Sequence, residues 1–178
     1  MRSLRLVPLC IVLGAAGCIL TSGQFRLSFD LGNIVVASPT SLNSVDVDLN
    51  TNSTYRDHKD NLKGLADLAL LGEVRNNTPG ARVEIEAWLT RDQTDLTTDA
   101  QVRGAGIRIW GPLRLASGET RRIDWDASAA LFGDAGVAAL LQEVKGDGSF
   151  TIYVIGAAGT YAFTIQDGFL VLTLDAGV

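Results

Sequence analysis

Most groups able to do chemistry in this 178-residue chain are carboxylates: 20 acidic side chains stand against 15 basic ones and a single histidine. A Ser-His-Asp or Cys-His site needs a histidine as its base. The one candidate, His58, sits among Arg56, Asp57, Lys59 and Asp60, a setting that places it at the surface. The chain has no Gly-x-Ser-x-Gly, His-Glu-x-x-His, Gly-x-x-x-x-Gly-Lys or Cys-x-x-Cys pattern. Nucleophile-elbow hydrolysis, zinc proteolysis, phosphate-loop binding and dithiol redox chemistry therefore lack their frames. Asp46 with Asp48, and Asp124 with Asp126, have the spacing that puts both side chains on one face of a strand. Such pairs hold calcium or act as acid and base in glycoside cleavage, but a solvated acidic strand face needs no further assumption. Asp92, Asp95 and Asp99 fall three and four apart in a polar stretch and are candidates for a weak calcium site. They lack the Asp-x-Asp-x-Asp-Gly loop that makes a strong one. Trp88 and Trp110 are the candidates for gripping a partner, because aromatic rings are enriched where proteins bind one another. No catalytic set, metal centre or cofactor is expected.

The elements that must carry these groups start with an address. The net charge is −5, which argues against a nucleic-acid surface, since that needs clustered Lys and Arg. The two cysteines, Cys10 and Cys18, are too few for a disulfide scaffold or a thiolate zinc site. Both lie near the N-terminus. Arg2 and Arg5 precede an apolar run from 6 to 16 that is about half the ~20 residues needed to cross a bilayer. This is the layout of a secretory signal peptide. Its end, Ala15-Ala16-Gly17-Cys18, resembles the bacterial lipobox, with Ala15 where the family prefers Leu. The resemblance implies cleavage before Cys18, a diacylglyceryl thioether on its sulfur and an acylated new amino group, with no free thiol left. Acyl chains worth about 0.8 kcal/mol per buried CH2 would then hold the domain on a membrane. In Gram-negative members an Asp after the cysteine retains the protein at the inner membrane. Here the place is Ile19, which implies the outer membrane.

The expected division is a signal peptide over 1–17, a lipidated cysteine and short tether over 18–24, and one domain over 25–178. In that domain short apolar runs recur between Gly, Asn, Asp and Pro, the pattern of strands and turns. Phe25, Leu27 and Phe29 alternate with Arg26 and Ser28; Val45, Val47 and Leu49 alternate with Asp46 and Asp48. Runs at 68–75 and 81–90 flank Asn76-Asn77-Thr78-Pro79-Gly80 and read as a hairpin. Runs at 149–155, 160–166 and 169–175 read as a three-stranded meander, with Asp167-Gly168 as its last turn. Residues 126–145 are Ala-rich and read as the main helix, or as two short helices meeting at Gly133-Asp134, since Gly133 and Gly136 weaken it; a helical turn is expected at 56–62. The polar stretch 91–106 reads as the longest loop.

This pattern predicts a mainly β domain, an antiparallel β-sandwich that is immunoglobulin-like in the broad sense, with a barrel as the alternative. The passage Gly72-Glu73-Val74-Arg75-Asn76-Asn77 resembles extracytoplasmic sandwich domains of the water-stress type, and no function follows from it. Three functions remain in play. The first is a non-catalytic lipoprotein of the bacterial cell envelope that meets the membrane through its anchor and binds another envelope protein or stabilises an envelope assembly. The second is a carrier of a small apolar ligand between the sheets, and the third a carboxylate-based glycosidase or other hydrolase.

Overall fold

The computed structural model describes residues 22–38, 42–91, 95–157 and 159–177. The signal peptide, Cys18 and Asp92 lie outside the described residues. Among the described residues eight strands form two antiparallel sheets. The first sheet has the order β1 (Ser22–Ala37), β8 (Ala162–Gly177), β3 (Leu62–Asn76), β6 (Thr120–Ile123); the second has β2 (Asn43–Asp48), β7 (Ser149–Gly156), β4 (Val83–Thr90), β5 (Ile107–Leu115). The fold is the expected β-sandwich. The alternating apolar residues meet between the sheets. Leu27, Val36, Val74, Leu172 and Leu174 from the first pack with Val47, Ile85, Leu89, Leu115, Ile152 and Val154 from the second. Each such side chain contributes roughly 1.5–3 kcal/mol when withdrawn from water. β1 begins at Ser22, inside the stretch read as tether.

Three sequence expectations need correction. The runs at 68–75 and 81–90 are not a hairpin, because β3 lies in one sheet and β4 in the other. Nor is the C-terminal part a meander. β7 and β8 also belong to different sheets, and β8 runs unbroken through Asp167-Gly168. Asp167 adopts φ +49°, the conformation of a tight turn, yet here it makes a bulge. The register shifts beside it, at Gly32 on β1 and between Leu71 and Glu73 on β3, fall on the same line across the sheet. Periodicity of two reads a strand's faces and not its neighbours, so a corner between sheets resembles a hairpin. The helix expected over 126–145 takes its two-helix form, α3 (Trp125–Ala129) and α4 (Asp134–Lys145), parted near Gly133. Finally, the stretch 91–106 contains α2 (Asp99–Ala105). Thr98 and Gln101 form a capping box there, each side chain bonded to the other's backbone, a signal that was present in the sequence. The helical turn near 56–62 appears as α1 (Ser53–His58) followed by a 3-10 turn (Lys59–Asn61).

β6 is short and covers only residues 72–75 of β3. α3 closes the rest of that side. The buried Ser128 Oγ accepts from the Leu70 backbone N–H (2.7 Å) and the Trp110 indole N–H (3.2 Å), joining β3 of one sheet to β5 of the other. α4 inserts Leu140 and Val144 into the core. Its Gly136 lies against β5, where a Cβ would stand 2.5 Å from the Ile109 Cα.

Asn76 fastens two of the links between the sheets. It is fully buried. Its Nδ2 donates to the carbonyls of Ala81 (2.9 Å), Leu115 (3.2 Å) and Ala116 (2.9 Å), and its Oδ1 accepts from the Thr78 N–H (2.8 Å). Asn76→Ala removes all four bonds, two of them, to the Leu115 carbonyl and the Thr78 N–H, in buried surroundings. The expected loss is about 3 kcal/mol, seen as a lower urea midpoint with an unchanged slope.

Candidate functional site

The densest group of charged and aromatic side chains lies on the outer face of the second sheet, under α2. Glu84, Glu86 and Trp88 point outward from β4, as their alternation with Val83, Ile85 and Ala87 requires. Glu86 nevertheless is only 4 % exposed. α2 and the turn before it lie over this face, with Val102 and Leu96 packed on Tyr153, Ile155 and Trp88. Buried charge must be paired. Glu86 Oε2 receives Arg103 at 2.6 Å and the Trp88 indole N–H at 3.2 Å, and Oε1 receives Arg108 at 2.8 Å. Burial alone would raise the Glu86 pKa. The hydrogen bonds from Arg103, Arg108 and Trp88 outweigh it and hold the carboxyl below its ordinary value. Arg103 also stacks over the Trp88 ring at 5.2 Å and donates to the Gly156 carbonyl at 2.5 Å.

The Trp88 and Arg108 side chains form one wall of an open cleft of about 530 Å3, whose other wall is Ile107 and the 130–136 turn between α3 and α4. Glu86 fixes the orientation of both. Its oxygens are already occupied by donors, so it is poorly placed as a general base. What the arrangement offers is a rigid indole and guanidinium presented together, suited to gripping a partner rather than to bond cleavage.

Trp110 lines the same cleft, but it is only 5 % exposed, with its indole bonded to Ser128. The other candidates are dispersed. Burial, with Asp99 accepting the Tyr161 phenol at 2.6 Å, pushes the Tyr161 pKa up to about 12. Asp95 is exposed, and among the described residues no group of three or more His, Cys, Asp or Glu is placed to hold a metal ion. Asp46 accepts from the Thr151 hydroxyl at 2.7 Å, and Asp48 caps the 3-10 turn (Leu49–Thr51) that follows it. Asp124 caps α3, while Trp125 donates to Asp67 at 2.9 Å under the Arg26 guanidinium. His58 is exposed and lies 5.4 Å from the Phe25 ring. Sequence reasoning missed Glu86, Arg103 and Arg108. The only signal was the capping box that places a helix over the Glu84-Glu86 face.

No protein-family model matches the chain, and no curated protein matches it. Among solved structures, the chain is similar to one in the cryo-EM structure of Mud crab tombus-like virus, at 13% identity over 100% of this chain and 94% of that one, with a TM-score of 0.35. A likeness of that size carries no argument.

Glu86 is ionised in the fold with a lowered pKa. Its stabilisation is therefore full above the ordinary carboxyl range and is lost as pH falls through the lowered value. Glu86→Gln is expected to cost roughly 1–3 kcal/mol near neutral pH, and the gap from the parent should shrink below about pH 4. Urea midpoints measured across that range check both.

Proposed function

We propose that the protein is a lipid-anchored domain of the bacterial cell envelope that binds a partner there and catalyses nothing. One observation carries this reading. The lipobox-like Ala15-Ala16-Gly17-Cys18 stands immediately before the sandwich, whose first strand begins at Ser22. At ~3.5 Å per extended residue, a cysteine anchored by acyl chains would hold the domain within about 14 Å of the bilayer surface. A domain so placed meets molecules in or near its own membrane, and Ile19 after the cysteine favours the outer membrane in a Gram-negative cell.

The spending of the reactive groups on structure supports the non-catalytic part. Asp46, Asp48, Asp99 and Asp124 hold turns, caps and a phenol, and Glu86 is enclosed by its donors. The Trp88 and Arg108 cleft is the surface we assign to the partner. A carrier has less support. The apolar cavity between the sheets, lined by Leu31, Ile34, Val74 and Ile165 among others, measures about 30 Å3, the share of one water molecule in the liquid.

Labelled palmitate fed to a bacterial host expressing the full chain tests the anchor. Label is expected in the parent protein, with the leader removed. Cys18→Ala should take up none and keep the precursor length. Equal labelling of the two, or none in either, would overturn the reading.

A further inference from the structure

β1 is the outermost strand of the first sheet, and among the described residues no strand pairs with its free edge. Native sheets usually blunt such an edge with proline, lysine, a bulge or a very short strand. β1 runs from Ser22 to Ala37 and holds neither proline nor lysine, and its bulge at Gly32 leaves the register from Ser22 to Asp30 unbroken. Its two faces differ. Arg26, Ser28 and Asp30 are exposed on the outer face, whereas Leu27 is buried on the inner face and Phe25, Phe29 and Leu31 are only half buried there. Beside them, between the edges of β1 and β2, lies an open groove of about 380 Å3 in which Phe29, Val45 and Val47 alternate with polar side chains, Asp30, Asp46 and Asp48 among them. Apolar side chains on the inner face of the sandwich are thus left half covered along this one side.

We propose that β1 pairs antiparallel with β1 of a second copy, with the two-fold axis passing at Ser28. The strand's own charges select this register. With the axis at Ser28, Arg26 stands directly opposite Asp30 of the second copy, twice over, and opposite charges facing across strands attract. An axis at Arg26 would oppose two arginines, and one at Asp30 two aspartates. A shift by one residue in the pairing would align the apolar face of one copy with the charged face of the other. In the chosen register Phe25 opposes Leu31 and Leu27 opposes Phe29, so the half-covered inner face gains an apolar partner.

Local contacts already hold the two charged side chains on the outer face. Arg26 stacks over Trp125 at 5.2 Å, and Asp30 Oδ1 accepts the Gly32 N–H at 2.7 Å. Each keeps capacity for the other copy, since a guanidinium has five N–H donors and a carboxylate a second oxygen. Gly32, at φ +66°, interrupts the strand and ends the paired segment, which covers residues 24–32. The result is one continuous sheet through two copies. This goes beyond the anchoring reading and does not depend on it.

Cysteine cross-linking of the full chain, solubilised in detergent from a bacterial host, tests it. Ser28→Cys should give a disulfide-linked dimer under mild oxidation, well above the background of the parent protein. Val35→Cys, on the same strand and at a position 61 % exposed, should stay at background. In the Ser28→Cys protein, Arg26→Asp and Asp30→Arg should each lower the dimer yield several-fold, and the two together should restore it. Loss of the Trp125 stack alone would not be rescued by a change at Asp30. Circular dichroism establishes that each variant is folded. A folded Ser28→Cys protein without dimer, equal yields at 28 and 35, or a double exchange that fails to restore the yield would overturn the proposal.

Discussion

The side-chain amide of Asn76 is buried at the place where two links between the sheets meet, and none of its polar atoms is idle. Its nitrogen holds the carbonyls of Ala81, on the way from β3 to β4, and of Leu115 and Ala116, on the way from β5 to β6. Its backbone takes part as well, donating to the Glu119 carbonyl and accepting from Gly118. A buried polar group costs heavily when unpaired and little when satisfied. This side chain therefore fixes where the chain leaves one sheet for the other. With β3 and β4 so fixed, the apolar faces of the two sheets meet, and the outer face of β4 is left for α2 to cover.

That constraint also explains which parts of the fold were legible in the sequence. The faces of β1, β2 and β4 were, because alternation of apolar and polar residues reports directly which side is buried. Val45 and Val47 against Asp46 and Asp48, or Val83 and Ile85 against Glu84, needed nothing more. The weak point in the helical region at Gly133 was legible too. Strand partners were not, since the chain changes sheet at nearly every link. The bonds that enforce this, such as Asn76 to Leu115 and Ser128 to Leu70, join residues far apart in sequence. Asp167-Gly168 shows the same limit at short range. Positive φ suits a hairpin turn and a bulge alike, and only the neighbouring irregularities at Gly32 and Gly72 decide between them.

The candidate site was half legible for a related reason. Trp88 could be placed on the outer face of β4, but Glu86 on that face read as one more solvated acid. What buries it is a short helix whose polar composition looks like loop, held by a capping box and by Val102. Once buried, Glu86 requires Arg103 and Arg108, and these in turn orient Trp88. A scaffold that uses its acids to hold turns, caps and one buried cluster is suited to presenting a surface. The proposed anchor at Cys18 and the proposed pairing of β1 would both act on how that surface is displayed, one by distance from the membrane and the other by number of copies.

If the links held by Asn76 join the sheets into one cooperative unit, then the first and second sheets must open together. Native-state hydrogen exchange in rising sub-denaturing urea tests this most directly, followed at Leu172 in β8 and Ile152 in β7, both buried central-strand positions. The two amides are expected to converge on one opening free energy with one urea dependence. Two separate opening energies that persist as urea rises, with one sheet exchanging while the other stays protected, would contradict the account.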